Sequence, residues 1–267
     1  MQGYANPSFK YYTVFKLKHN YFMVTSFKKW GILSLIAVSA TLATQSCDND
    51  DDYNYHLPNA IVTVKHAESG NSSYLQLDDS TTLLPINMTT SPFGDKEVRA
   101  FTNFTYTDDD SGDYDAAVTV NWIDSILTKQ PAPNMGEKND SIYGSDPVEL
   151  IGDWFTIVED GYITLRFRTI WGPSGIPHYV NLITNTNSED PYEVEFRHNA
   201  SGDTYGTIGD AVVAFSIKDL PDTEGKDVKI RVKYKSPSGY KYAEFKYNSG
   251  KSSGGTVPRE MLTRRMM

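Results

Sequence analysis

Apolar and polar residues alternate along most of this chain with a period of two, and the clearest instance lies near its C-terminal end. Val228, Ile230, Val232 and Tyr234 alternate with Lys229, Arg231, Lys233 and Lys235. That spacing puts the apolar set on one face of a strand and the cations on the other. Tyr192, Val194 and Phe196 alternate in the same way with Glu193, Glu195 and Arg197, which reads as a solvated strand face. Ile163, Leu165, Phe167 and Trp171 point opposite to Arg166 and Arg168. No sustained helical period occurs after residue 46.

The strand-like segments fall into two series. The first holds Ala60–His66, Tyr74–Leu77, Thr82–Pro85, Val98–Thr107 and Ala116–Ile123, with turn clusters at Asn71-Ser72-Ser73 and Asp108–Tyr114 and a helical turn over Ile123–Thr128. Five short strands in this space predict a small OB-like barrel over residues 60–130. Residues 131–147 are rich in proline and glycine without periodicity, and read as a linker. The second series holds Val148–Val158, Tyr162–Trp171, His178–Thr184, Tyr192–His198, Ala211–Ile217, Val228–Ser236 and Tyr240–Tyr247. Glu159-Asp160-Gly161 joins the first two as a hairpin, because Asp-Gly tolerates positive φ. About seven strands with one apolar face each need a second sheet to cover them, so residues 148–248 predict an antiparallel β-sandwich. The expected fold class is therefore all-β. Residues 249–267, Ser/Gly-rich and then basic, are expected to be disordered.

The first 46 residues have another character. Lys28 and Lys29 precede an apolar run from Gly31 to Ala43, then small residues lead to Cys47. This is the layout of a secretory signal, with Met23 the better start and Met1–Phe22 an extension or an unstructured leader. The apolar run is too short for the roughly 20 residues that span hydrocarbon. A conventional secretory cut and an uncleaved anchor are the alternatives to cleavage before Cys47. The chain has 1 cysteine, so no intramolecular disulfide is open to it. Its place after the apolar run favours acylation, palmitate included, although Thr44-Gln45-Ser46-Cys47 lacks the usual Leu three residues before the cysteine. Asp48, Asn49, Asp50, Asp51 and Asp52 follow directly and open an acidic tether over residues 47–59. That run resembles the surface-export signal of Bacteroidetes lipoproteins, which implies an outer-membrane address, facing inward or outward.

Composition changes the picture in two ways. The chain of 267 residues has 18 Tyr and 12 Phe, which suits pleated, half-buried surfaces. Its formal charge is −9; residues 1–46 hold five lysines and no acid, so removing them leaves 20 bases against 34 acids, or −14. An acidic body disfavours nucleic acid and favours a cationic partner such as a protein toxin.

Candidate chemistry is sparse. No His-Glu-x-x-His, Gly-x-Ser-x-Gly or phosphate-loop motif occurs, and no cofactor is indicated. Asp108, Asp110 and Asp113 lie in an oxygen-rich turn, but the EF-hand order and its closing Glu are missing, so a charged hairpin tip is favoured over calcium. Asp140-Ser141-Ile142 resembles the acceptor sequence of Bacteroidetes O-glycosylation, with Ser141 as acceptor. His178 and His198 read as hydrogen-bonded or surface residues.

Several segments together carry a family resemblance. Ala60–Val64, Tyr74–Leu83, Val120–Lys129, Ile163–Thr169 and His178–Leu182, behind an acid-led lipoprotein start, resemble the NigD-like family of Bacteroidetes lipoproteins over roughly residues 47–248. The resemblance implies an OB-like domain followed by a β-sandwich. It also implies an association with bacteriocin operons, with immunity as the suggested role, and it supplies no catalytic residues. The expectation is a non-enzymatic outer-membrane lipoprotein that binds an extracellular partner. The alternatives are glycan binding through Trp122, Trp154 or Trp171, and a hydrolase built from dispersed carboxylates.

Overall fold

The structure is a computed structural model that describes residues 57–67, 72–173 and 175–250. Cys47, the Asp48–Asp52 run and the signal segment lie outside these residues, as do residues 251–267 of the expected tail.

The first module is a closed five-stranded barrel of β1 (Ala60–His66), β2 (Ser73–Gln76), β3 (Thr82–Pro85), β4 (Val98–Thr107) and β5 (Ala116–Ser125), in the order β1-β2-β3-β5-β4. All its pairings are antiparallel except β3 with β5. Alternation turns Val62, Val64, Leu75, Leu83, Phe104 and Val118 into the barrel. A bulge at Asn103/Phe104 re-aims β4 against β5. Two asparagine side chains stand in for strand partners there. Asn59 donates to the Phe104 carbonyl (2.7 Å) and accepts from its N–H (3.1 Å). Asn87 does the same for Val120, at 2.8 and 2.9 Å.

The second module is a sandwich of two sheets. Its strands are β6 (Leu127–Lys129), β7 (Glu149–Leu150), β8 (Ile157–Glu159), β9 (Tyr162–Trp171), β10 (Tyr179–Ile183), β11 (Glu193–Asn199), β12 (Thr207–Ser216), β13 (Val228–Ser236) and β14 (Gly239–Tyr247). One sheet runs β10-β11-β13-β14; the other runs β6-β12-β9-β7, with β8 also on β9. Between them lie Phe167, Phe196 and Phe215 with Leu165, Val213 and Val232. Each large side chain buried there contributes about 1.5–3 kcal/mol.

Three segments differ from the sequence reading. The predicted helical turn over residues 123–128 is extended, because Leu127–Lys129 pairs in parallel with Val213–Phe215. A distant strand outbids the local i, i+3 spacing of Ile123 and Ile126. The single strand predicted over residues 148–158 is β7 and β8, separated by a turn in which Thr156 N–H donates to the Asp153 carbonyl at 3.0 Å. Within the predicted linker, Gly136–Lys138 forms a 3-10 turn that runs into a short helix, α1 (Asn139–Tyr143). This stretch clasps the sandwich: Ala132 N–H donates to the Leu182 carbonyl (2.7 Å), and Asp146 N–H to that of His198 (2.9 Å). At the far end, Ser249 Oγ donates to Asp222 at 2.6 Å.

The two modules share a joint. Ile61 and Ile126 pack with Ala214 of β12, flanked by Phe101, Phe155 and Val212. Phe101 and Phe155 meet edge to face at 5.2 Å. Beside them Arg99 is fully buried; it donates to Thr63 Oγ1 (3.1 Å) and faces Glu159 at 3.7 Å. Burial pulls the Arg99 guanidinium below its ordinary value, while Glu159 and Asp160 oppose that.

Candidate functional site

The outward face of β9 and β12 carries a pair of exposed aliphatic side chains, Ile170 and Ile208. Alternation sends Arg166, Arg168 and Ile170 of β9 outward, opposite Val212, Asp210 and Ile208 of β12. At the joint end Val212 and Ala214 are covered by the barrel. In the middle, Asp210 is buried under two arginines, with Arg166 Nη2 and Arg168 Nε each at 2.6 Å. The hydrogen bond from Arg168 leads the effects that hold the Asp210 carboxyl below its usual range. At the free end the cross-strand pair Ile170–Ile208 meets solvent, Ile208 at 72% exposure, with Tyr205 at 86% nearby.

A groove of about 260 Å³ runs beside this pair, floored by Pro147, Ala200 and Pro237 as well as the two isoleucines. Asp146, Glu149 and Asp203 also line it, with Arg168. Apolar walls with a few polar groups at the rim are what docking sites need, and clustered exposed apolar residues mark interaction surfaces.

Behind the groove wall sits a chain of buried polar groups. Asp203 Oδ2 takes a hydrogen bond from Gly172 N–H (2.8 Å) and lies 3.3 Å from His178 Nε2. His178 Nδ1 lies 2.9 Å from His198 Nε2. With Nε2–H of His178 donating to the carboxylate, its Nδ1 accepts, so His198 donates through Nε2. Burial, then the neighbouring His178, pushes His198 down to about 4, against the pull of Asp146. Trp171 stacks on His178 at 4.3 Å and 17°, and its Nε1–H donates to the Gly209 carbonyl at 3.0 Å. A Cβ on Gly209 would fall 2.8 Å from the indole, so only glycine lets the ring lie flat. The two histidines are buried, which makes this cluster a brace for the groove wall.

Most of the residues singled out by sequence do not converge. Asp108, Asp110 and Asp113 sit exposed on the β4–β5 hairpin, where Asp110 accepts from Gly112 N–H (2.9 Å). Among the described residues no three His, Cys, Asp or Glu side chains come together as a metal site. Ser141 is exposed on α1 and donates to the Lys138 carbonyl at 2.9 Å. Trp122 and Trp171 are half-buried, whereas Trp154 is 48% exposed and stacked on Phe155 at 4.2 Å. Glu193 and Glu195 are not the solvated face expected. Both are buried, facing Arg231 and Arg197 at 3.1 Å, because residues 130–147 pass over this side of their strand, where Asp140 pairs with Arg197. The His178–Asp203 and His178–His198 contacts were missed, since partners 20 and 25 residues apart leave no local spacing to read.

A second cleft, of about 400 Å³, lies between barrel and sandwich. Its carboxylates are engaged: Asp160 with Lys65 at 2.5 Å, Asp79 with the Asp160 N–H at 2.6 Å, and Glu159 with Arg99.

A five-stranded OB barrel followed by a β-sandwich defines a two-module class of β-scaffold. Residues 61–126 match the profile of the NigD-like N-terminal OB domain, and residues 130–247 that of the NigD-like C-terminal beta sandwich domain. The chain belongs to the NigD-like family. Among solved structures it is similar to a toxin-related protein of Parabacteroides distasonis, at 38% identity over 78% of this chain and 98% of that one, with a TM-score of 0.61. A DUF1344 protein of Bacteroides vulgatus matches at 22% identity over 74% and 95%, TM-score 0.58. A NigD-like immunity protein of Bacteroides caccae matches at 20% over 72% and 97%, TM-score 0.51. No curated protein matches.

Proposed function

We propose that this chain is a non-enzymatic lipoprotein that captures a protein partner at the cell envelope, in the manner of an immunity protein. The observation that carries this reading is the Ile170–Ile208 pair beside its groove: apolar residues held outward on two paired strands, with carboxylates along the rim. The rim and the net acidity favour a cationic protein. The toxin-related and immunity descriptions of similar structures point the same way.

In this reading Cys47 is acylated and the Asp48–Asp52 run directs the protein to the outer membrane, with the barrel between the anchor and the groove. Two or more acyl chains make such anchoring durable, at about 0.8 kcal/mol per buried methylene. Incorporation of labelled palmitate, lost in Cys47→Ser, tests the anchor. Killing assays with the cognate bacteriocin, on wild-type and deletion strains, test the role. Greater sensitivity of the deletion strain supports it, and equal sensitivity rejects it.

A further inference from the structure

The outer face of β13 and β14 is separate from the groove and carries a different chemistry. Register places Lys235 opposite Tyr240, Lys233 opposite Tyr242, Arg231 opposite Glu244 and Lys229 opposite Lys246. Each tyrosine leans one step along the strand. The Arg231 guanidinium carbon lies 4.5 Å from the Tyr242 ring centroid, and Lys233 Nζ lies 4.8 Å from that of Tyr240. The result is a ladder in which cations and aromatic rings alternate. Tyr240 and Tyr242 remain 53% and 46% exposed.

The linker explains why this face is open. Residues 130–147 pass over the β10 and β11 half of the sheet, where Asp140 pairs with Arg197 and Asp146 takes Ala200 N–H at 2.7 Å. They stop at the end of β13, where Val148 N–H donates to the Lys235 carbonyl at 2.9 Å. Acids answer some of the cations: Lys229 pairs with Glu244 (2.7 Å), Arg231 with Glu193 (3.1 Å) and Lys246 with Asp227 (2.7 Å). Lys233 and Lys235, the two beside the tyrosines, form no ion pair among the described residues.

We propose that this ladder binds an acidic polysaccharide. Same-face residues on a strand lie about 7 Å apart, so Tyr240 and Tyr242 offer two successive ring edges and faces for sugar C–H surfaces. Lys233 and Lys235 supply charge for carboxylate or sulfate groups between them. A cation already seated on each ring holds its orientation. Glu244, interleaved on the same face and half-exposed, accepts from sugar hydroxyls. Hydroxyl donors of this kind, which a DNA backbone lacks, favour a glycan over DNA.

The test measures retention of the detergent-solubilised full-length protein on immobilised polygalacturonate and chondroitin sulfate at low salt, with dextran as the neutral control. The expected result is retention on at least one acidic glycan and none on dextran. The Tyr240→Ala/Tyr242→Ala pair, which keeps every charge, is expected to bind at least tenfold more weakly. Tyr240→Phe/Tyr242→Phe is expected to stay near wild type, and Lys233→Gln/Lys235→Gln to lose binding, each with an unchanged far-UV spectrum and thermal midpoint. If the alanine pair misfolds, the phenylalanine and glutamine pairs decide. Three results overturn the proposal: no retention on either acidic glycan, retention indifferent to the tyrosines, or tighter binding to oligothymidylate through the same residues. The outcome is independent of the groove, which Ile208→Asp removes without touching this face.

Discussion

The barrel and the sandwich are both closed by period-two strands, yet they use their residues differently. Residues 57–126 hold eleven acids and three bases, while residues 127–250 hold eighteen acids and thirteen bases. The barrel fills a small interior with aliphatic side chains around Phe104. The sandwich packs three phenylalanines and buries ionisable groups within its own layers: the His178–His198–Asp203 chain and Asp210 under its two arginines. The barrel's buried Arg99 instead lies at the joint with the sandwich. The exposed apolar pair, the groove and the cation–tyrosine ladder all belong to the sandwich. The difference teaches that the larger core is what carries the exposed apolar and aromatic surface features, with the acidic barrel packed against its other end.

Perturbing the cores should give the largest effects. Phe215→Ala, in the middle of the sandwich, should cost about 3–5 kcal/mol, whereas Val62→Ala in the barrel should cost roughly 1–3 kcal/mol. Denaturant melts of both variants measure the gap. At the joint, Glu159→Gln leaves Arg99 buried without its partner and should cost about 3 kcal/mol. Arg99→Met should cost much less, because it removes the charge together with its need for one. A joint that tolerates Glu159→Gln as well as Arg99→Met would mean that this ion pair does not hold the modules.

Acid should separate the modules next. His198 titrates near 4 in the folded chain against 6.5 when unfolded. A lowered histidine means that the unfolded state binds more protons, so stability is fully present above about 6.5 and falls as pH drops towards 4. The slope reaches at most about 1.4 kcal/mol per pH unit for one group. In the barrel, against the effect of burial, hydrogen bonds from Ser80 and Thr81 hold Asp78 below its usual range, so the barrel's loss begins lower, beneath the unfolded Asp78 value of 3.8. Near-UV signals from Trp171 should therefore change before barrel signals do, and His198→Gln should flatten the upper limb. Simultaneous changes would contradict the assignment. The smallest stability effect should come from Ile208→Ala, within about 0.5 kcal/mol, as for other solvent-facing changes.

Legibility in the sequence followed the same division. Ala60–His66, Thr82–Pro85, Val98–Thr107 and Val228–Ser236 match strands β1, β3, β4 and β13 to the residue, because one wet and one dry face impose alternation. Leu127–Lys129 was opaque, since its partner is 86 residues away and three residues hold no period. Glu193 and Glu195 alternate like solvent-facing residues, but alternation cannot report what later packs over a face. The groove was illegible for a related reason. Ile170 and Ile208 are ordinary strand residues until the register sets them side by side.

The most direct test is complementation of a deletion strain with the Ile208→Asp variant, at matched envelope abundance, under challenge by the cognate bacteriocin. The account predicts that wild type restores survival and that the aspartate variant leaves cells as sensitive as the deletion. Equal protection by both would contradict partner capture at this face.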